Sequence, residues 1–266
     1  MSLRLSPTFR AALAASDRPL AGMWLCTGHP VVAEIAAGAG LDWLLVDMEH
    51  SATSVEQVLV QLQVTAGYPV VPVVRVPSND AVTIKRVLDV GAQNLIVPMV
   101  SSADEARAAV AATRYPPAGV RGVGSALARS ARWNRVDDYL ASAADHVSLT
   151  VQIETTAGVA AAAEIAAVEG VDAVFVGPSD LSASMGLLGR QSHPDVVAAV
   201  HAVFAACRDA GTPVGVNAFD PAVAEAYLAA GADFVAVGAD VALLARASEA
   251  LAARFVTARA SRRDSY

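Results

Sequence analysis

The ten residues DWLLVDMEHS, at positions 42–51, begin as an apolar run and end as a cluster of ionisable side chains. The apolar part, WLLV, shows no alternation with polar residues, which is typical of a strand that is covered on both faces. Asp47, Glu49 and His50 follow it directly, although a buried strand needs no titratable groups at its end. The stretch therefore indicates a buried parallel strand that delivers polar side chains to an active site.

The same arrangement recurs along the whole chain, because seven other short apolar runs are each followed by an alanine-rich stretch with helical spacing. The eight predicted strands are 22–26, 43–47, 70–75, 94–97, 148–153, 173–177, 213–217 and 234–238. Eight strand–helix units without a linker predict one domain, residues 1–266, of the α/β class with a (β/α)8 TIM-barrel fold. A doubly wound nucleotide-binding sheet is the competing fold, but no strand leads into the G-x-G-x-x-G turn that it uses.

The composition argues against several classes of partner. A net charge of −7 without a basic stripe argues against nucleic acid. The longest uncharged run, 57–74, is interrupted by glycine and proline, so neither a transmembrane segment nor a membrane partner is expected. Cys26 and Cys207 make no disulfide framework and fit a reducing cytoplasm. The basic tail, 259–266, is interpreted as a solvated chain end.

The least regular part of the sequence is 115–139, between the fourth and fifth predicted strands. It is rich in arginine and glycine and contains Trp133. Connections of this length are usually functional or disordered. We therefore predict a segment that is ordered over a site.

In a (β/α)8 barrel the carboxyl ends of the strands form one rim, and the active site lies there. Polar and titratable residues converge on that rim in this sequence. They are Cys26, Thr27, His29, Asp47, Glu49, His50, Arg75, Gln152, Glu154, Asp180, Asn217 and Asp240.

Glu154 and Asp180 follow neighbouring strands, so their carboxylates are expected to lie close together. Two such carboxylates repel each other unless a cation lies between them. Oxygen ligands with water suit Mg²⁺ or Mn²⁺ better than zinc. The alternative is that each carboxylate caps the helix that follows it. Their joint position at adjacent strand ends favours the metal site.

Arg75 and His50 are the candidates for catalysis at the rim. A guanidinium there could bind a carboxylate or an enolate oxygen, or it could only pair with Glu49. His50 ends an apolar strand among other rim groups and is predicted to be the general base, oriented by Asp47. The single lysine, Lys85, lies inside a predicted helix, so a mechanism through a lysine imine is not expected.

Seven segments resemble the HpcH/HpaI aldolases, a family of class II pyruvate aldolases. They are WLLVDMEHS, RVPSND, IKRVLDVGA, TRYPPAGVRGVG, VQIET, VEGVDAVFVGPSDLS and FVAVGAD, in the order and spacing of that family. The resemblance covers about 22–252 and implies a barrel of the pyruvate/phosphoenolpyruvate type. It also implies reversible, metal-dependent cleavage of a 4-hydroxy-2-oxo acid, such as 4-hydroxy-2-oxoheptanedioate, to pyruvate and an aldehyde.

The resemblance assigns roles to individual residues. It implies that Glu154 and Asp180 hold Mg²⁺ or Mn²⁺. It also implies that Arg75 stabilises the enolate and that His50, held by Asp47, is the base. The residues implied to bind substrate are Trp24, Gln152, Gly177, Pro178, Ser179 and Asn217. The last of these stands where dicarboxylate-cleaving members tend to have an aliphatic residue, which leaves the aldehyde open.

Asp89 matches an acidic residue that reaches the site of a neighbouring subunit, because members of the family form hexamers built from trimers. The implied partners are thus a small oxo acid, an aldehyde and further copies of the chain. Two alternatives stay open. One is another enolate-forming lyase, such as an oxaloacetate decarboxylase or a CoA-ester lyase, and the other is a silent barrel that only binds an oxo acid. His50 counts against decarboxylation, which needs no base on a 4-hydroxyl group.

Overall fold

Eight parallel strands close into a barrel in the computed structural model, which describes residues 3–256. The strands are β1 (Leu20–Leu25), β2 (Trp43–Asp47), β3 (Val71–Arg75), β4 (Asn94–Val97), β5 (Ser148–Ile153), β6 (Ala173–Val176), β7 (Val214–Asn217) and β8 (Phe234–Ala239). Neighbours in sequence pair in parallel, and β8 pairs with β1 to complete the ring. The predicted (β/α)8 fold is confirmed, with each strand within one or two residues of its expected bounds. The basic tail, 259–266, lies outside the described residues.

Helices surround the strands, and most begin at a polar cap. Their bounds are α1 (Phe9–Ala15), α2 (Pro30–Ala37), α3 (Val55–Thr65), α4 (Ala81–Asp89), α5 (Ala103–Thr113), α6 (Tyr139–Ser142), α7 (Thr156–Ala160), α8 (Ala162–Ala166), α9 (Pro178–Ser184), α10 (Pro194–Ala210), α11 (Pro221–Ala229) and α12 (Asp240–Phe255). Ser54, Asp80 and Ser102 each accept a hydrogen bond from the first turn of their helix. Within 3–256, no helix has the length and apolar character needed to span a membrane.

The interior of the barrel is filled by aromatic rings that lie against glycines. Trp43, Phe175 and Phe234 pack with ring centroids 5.8 to 6.3 Å apart. A Cβ on Gly22 would lie 2.3 Å from the Trp43 ring, and one on Gly215 would lie 2.3 Å from the Phe234 ring. Because interiors are close-packed, large rings at these positions require that the facing residues have no side chain.

Helix α1 closes the amino-terminal end of the barrel, and the sequence analysis did not predict it. Phe9 is buried, with its ring centroid 5.5 Å from that of Trp43 and 5.1 Å from that of Phe234. The main-chain N–H of Phe9 donates to Asn94 Oδ1 at 2.6 Å, at the start of β4. The helix therefore closes the end of the barrel that lies opposite the carboxyl-terminal rim.

The segment 115–139 is ordered, but it covers the amino-terminal side of the barrel rather than the rim. Arg129 Nη1 donates to the carbonyl oxygen of Val90 at 3.1 Å, just after α4. Buried Ala131 and Tyr139 belong to a small apolar cluster that is separate from the barrel core. The site that this segment could cover is thus at the opposite end from the predicted catalytic residues.

Helix α12 differs from the other long helices because Asp240 is its only buried residue. Its apolar side chains are uncovered, with Leu244 61% exposed, Leu251 60% exposed and Phe255 72% exposed. In a typical (β/α)8 barrel the last helix packs on the outer face of the strands. Here α12 leaves an apolar helical surface without a partner among the described residues.

Candidate active site

A cavity of about 280 Å³ opens at the carboxyl-terminal rim, where the sequence predicts the site. Most of the predicted site residues line it, namely Trp24, Asp47, His50, Arg75, Gln152, Gly177, Pro178, Ser179, Asp180 and Asn217. Glu154 lies directly behind this wall, against Gly177 and Gln152. The strands thus bring together side chains that are up to 193 positions apart in the sequence, as in the bond between Trp24 and Asn217.

Arg75 is buried at the end of β3 and is held from three sides. Its Nε and Nη2 donate to the two carboxylate oxygens of Asp47, both at 2.9 Å. Its Nη1 lies 2.8 Å from Glu49 Oε2, within ion-pair distance. The guanidinium carbon lies 4.2 Å from the centroid of the Trp24 ring, which is a cation–π arrangement. The pairing with Glu49, left open above, is therefore present together with the pairing to Asp47.

Glu49 is the less buried of the two acids beside Arg75, with a side chain that is 15% exposed. Burial raises the pKa of Glu49, and the charge of Arg75 opposes that rise. Two carboxylates next to one guanidinium leave the cluster with a net negative charge. These contacts therefore fix the orientation of Arg75, but the charge of the cluster is not balanced within it.

The structure corrects the predicted relation between Asp47 and His50. The Asp47 carboxylate accepts the main-chain N–H of Glu49 at 3.0 Å and that of His50 at 3.3 Å, besides the two bonds from Arg75. The His50 side chain is 65% exposed, and its Nε2 lies 4.0 Å from Glu49 Oε2. Asp47 thus positions Arg75 and the turn after β2, and it does not orient the imidazole, because its oxygens are already filled.

Glu154 is buried at the end of β5 and has two hydrogen-bond donors. Its Oε1 accepts the main-chain N–H of Met99 at 2.8 Å, and its Oε2 accepts from Gln152 Nε2 at 2.5 Å. Burial raises the pKa of Glu154 to about 7. The two hydrogen bonds oppose this rise, whereas the nearby charges of Glu49 and Asp180 add to it. A cation beside Glu154 would stabilise the ionised carboxylate, which both burial and the charges of Glu49 and Asp180 disfavour.

The donor set of this corner fits a hard divalent ion. No group of three or more His, Cys, Asp or Glu side chains in the described part of the chain is placed to hold a metal. Glu154 and Asp180 supply two carboxylates, and the Oε1 atom of Gln152 is buried without a hydrogen-bond partner. Mg²⁺ commonly binds through one or two carboxylates and keeps several waters. These residues could therefore hold Mg²⁺ or Mn²⁺ but lack the ligands for a closed zinc site.

The turn from β6 into α9 is shaped around Glu154. A Cβ on Gly177 would lie 2.6 Å from Glu154 Oε2 and 2.9 Å from Gln152 Nε2, so any side chain there would displace these two groups. The N–H of Gly177 already donates to the carbonyl oxygen of Ile153, and Pro178 has no N–H. Of the three residues expected to offer amides to a carboxylate, Ser179 is the one whose N–H is free to do so, since first-turn amides have no partner within the helix.

Two other predicted residues have clear positions. Asn217 Oδ1 accepts a hydrogen bond from Trp24 Nε1 at 2.8 Å, which links the ends of β7 and β1 across the cavity.

Asp89 is at the end of α4, where its Oδ1 lies 3.3 Å from Arg121 Nη2. Asp89 does not line the rim cavity of its own chain, so its role in a neighbouring site stays a prediction.

Met99 and Phe219 contribute to the site although the sequence analysis did not select them. Met99 adopts a left-handed backbone conformation (φ 59°), which a non-glycine residue rarely does, and its N–H bonds Glu154. Phe219 lines the cavity and is 46% exposed. The group that bonds Glu154 is a main-chain N–H, which every residue except proline has, so no sequence signal could have identified Met99.

Several known proteins are similar to this chain in sequence and fold. The profile of the family "HpcH/HpaI aldolase/citrate lyase" matches residues 20–247. A protein of Shigella sonnei named 4-hydroxy-2-oxo-heptane-1,7-dioate aldolase is 56% identical over 93% of this chain and 94% of its own. A crystal structure of an HpcH/HpaI aldolase/citrate lyase family protein from Burkholderia cenocepacia has a TM-score of 0.87 at 43% identity, covering 91% of this chain and 96% of the other. An HpcH/HpaI aldolase from Desulfitobacterium hafniense has a TM-score of 0.85 at 29% identity, with coverage of 96% and 99%.

Proposed function

The chain belongs to the HpcH/HpaI aldolase/citrate lyase family and is an enzyme of that aldolase group, and we propose that it cleaves a 4-hydroxy-2-oxo acid to pyruvate and an aldehyde through a pyruvate enolate. The observation that carries this proposal is the rim cavity in which Arg75, His50 and Asp180 meet, with Glu154 behind its wall. The name of the Shigella sonnei relative makes 4-hydroxy-2-oxoheptanedioate the first substrate to test.

The oxo-acid end of the substrate binds against the corner formed by β3, β5 and the first turn of α9. The free N–H of Ser179 receives one carboxylate oxygen there. Arg75 faces the 2-oxo group with a guanidinium whose orientation Asp47 and Trp24 fix beforehand. Glu154 and Asp180 would hold a divalent ion at this corner, and such an ion would supply Lewis-acid chemistry.

The exposed imidazole of His50 accepts the proton of the 4-hydroxyl group, directly or through one water. The C3–C4 bond then breaks, the new C4 carbonyl leaves as the aldehyde, and the electron pair remains on the pyruvate part as its enolate. Arg75 stabilises the negative charge as it develops on the enolate oxygen. The proton returns to C3 and gives pyruvate, so atoms and charge balance.

The test is pyruvate release from 4-hydroxy-2-oxoheptanedioate, measured with lactate dehydrogenase and NADH. Protein stripped with EDTA should be inactive and should recover with Mg²⁺ or Mn²⁺, whereas Glu154→Gln should not recover. Release that survives EDTA treatment would remove the metal from the proposal. Pyruvate from oxaloacetate, with none from any 4-hydroxy-2-oxo acid, would favour the decarboxylase instead.

His50→Ala should lower turnover by roughly two to four orders of magnitude, which is the usual contribution of a positioned base. Because the side chain is exposed and packs against little, stability should not change. His201→Ala is the matched control, since that histidine is an exposed residue of α10 away from the rim. Equal turnover in both variants would assign the proton transfer to another group.

A further inference from the structure

A second cavity, of about 400 Å³, lies at the amino-terminal end of the barrel, and the proposed reaction does not use it. Its walls come from the starts of β3 and β4, from α1 and from the segment 115–139. Pro72, Asn94, Arg129 and Arg132 are among the residues that line it. Pockets that bind small molecules enclose roughly 300 to 1,000 Å³, so this cavity is large enough for a ligand.

Two guanidinium groups meet in this cavity without a carboxylate. The Nη1 atoms of Arg129 and Arg132 lie 2.5 and 3.2 Å from the point that a Cβ on Gly91 would occupy, so they are neighbours. Their hydrogen bonds within the protein go to neutral carbonyl oxygens, those of Val90 at 3.1 Å and of Arg129 itself at 2.6 Å. No Asp or Glu is among the residues that line the cavity.

This pair of like charges is unfavourable as it stands. Burial and, to a lesser extent, the charge of Arg132 lower the pKa of Arg129 to about 10. Burial also lowers the pKa of Arg132. Half-buried charges are normally paired, because leaving water without a counter-charge costs free energy. An anion between the two guanidinium groups would remove this cost.

The backbone at Arg132 is held in a strained form. Arg132, Trp133 and Asn134 have φ values of 50°, 55° and 60°, three consecutive left-handed residues none of which is glycine. In each of them the Cβ lies close to the following carbonyl oxygen, which disfavours this conformation for a residue other than glycine. Strain of this kind concentrates at ligand sites and functional turns, where the surrounding structure maintains it. Arg132, the first of these three residues, lines the cavity.

The remaining walls are mainly apolar and leave room because α1 presents small side chains. Ala11, Ala12 and Ala15 of α1 line the space, and so do Leu62 and Val70. We propose that this cavity binds a small organic carboxylate, whose head pairs with Arg129 and Arg132 and whose apolar body lies against α1 and the chain before β3. A carboxylate suits the planar donor pattern of guanidinium groups.

Calorimetric titration of the full-length protein with 3-phenylpropanoate tests this proposal. The probe should bind and raise the unfolding temperature. Its uncharged amide and inorganic phosphate should each bind at least about tenfold more weakly, because one lacks the charge and the other the apolar body. Equal binding of the amide, or no binding of the carboxylate at millimolar concentration, would overturn the proposal.

Two variants assign the binding to this cavity. Arg132→Gln should weaken binding by about tenfold or more, whereas Arg107→Gln, at an exposed arginine of α5, should not. Ala15→Leu fills the space without a change of charge and should also weaken binding. If neither cavity variant changes the affinity while Arg75→Lys does, the probe binds at the rim and the inference fails.

Discussion

The guanidinium of Arg75 has three neighbours that fix its orientation, Asp47, Glu49 and the face of Trp24. A lysine would keep the charge but would lose the two parallel bonds to Asp47 and the planar surface that stacks on Trp24. We expect Arg75→Lys to lower kcat by about a hundredfold or more, because the charge no longer meets the enolate. KM should change less, since this interaction strengthens in the transition state. Steady-state kinetics check this, and a loss confined to KM would contradict the role.

The two cysteines allow a prediction about pH. Burial raises the pKa of Cys26 and of Cys207 to about 12. The reactive thiolate is then present in about one molecule in ten thousand at pH 8. Both thiols of the native protein should react slowly with a disulfide reagent at pH 8, about tenfold faster for each unit of pH above it, and rapidly after denaturation. Fast reaction of either thiol at pH 8 in the native protein would disagree with this burial.

Sequence reasoning works well for the identity of site residues and poorly for their contacts. Residue type and position at a strand end predicted that Asp47, His50 and Arg75 would share one cavity, and they do. The same reasoning paired Asp47 with the imidazole of His50, whereas the carboxylate bonds Arg75 and only the main-chain N–H of His50. A strand end fixes where a side chain starts but not which donors reach it. Arg75 reaches Asp47 from β3, the strand paired with β2.

At the scale of elements, the strands could be predicted because each is an apolar run bounded by glycine or polar residues. The shorter helices could not. Helix α1 has seven residues and only Phe9 is buried in it, which is too little for a periodic pattern. The alanine-rich stretch after β5 forms two helices, α7 and α8, rather than one, and they meet at Ala161, where ψ is 6°. Alanine-rich sequence hides such a break, because every residue is compatible with a continuous helix.

The turn between β6 and α9 gives a test of how closely an element is fitted to the site. The φ of Gly177 is −101°, which alanine adopts without strain. We expect Gly177→Ala to displace the Glu154 carboxylate by direct contact and to weaken Mn²⁺ binding by about 10- to 100-fold while the fold is kept. Gly67→Ala is the control, since a Cβ there meets no atom within 4 Å. Binding measured by electron paramagnetic resonance should separate the two, and equal affinity would mean that Glu154 is not a ligand.

At the scale of the whole molecule, the uncovered apolar face of α12 leads us to predict that the chain assembles with copies of itself. Exposed Leu244 and Leu251 lie on a helix that its own barrel does not cover, and apolar patches of this kind mark interfaces. We expect light scattering to give a multiple of 27.2 kDa, with a hexamer as the predicted state. The double change Leu244→Glu and Leu251→Glu should lower the mass, whereas Leu188→Glu, on an exposed loop, should not. A monomeric native protein at micromolar concentration would refute the assembly.

The three tryptophans are distributed along the axis of the barrel in three different environments. Trp24 lies under Arg75 at the rim, Trp43 is fully buried in the barrel core, and Trp133, next to Arg132, is 51% exposed. Each end of the molecule thus carries its own natural fluorophore, with a shielded one between them. Replacing Trp24 or Trp133 by phenylalanine would leave one tryptophan that reports on a single end, beside the emission of buried Trp43. Occupancy of the two cavities could then be followed optically and separately in the same protein, without an attached dye.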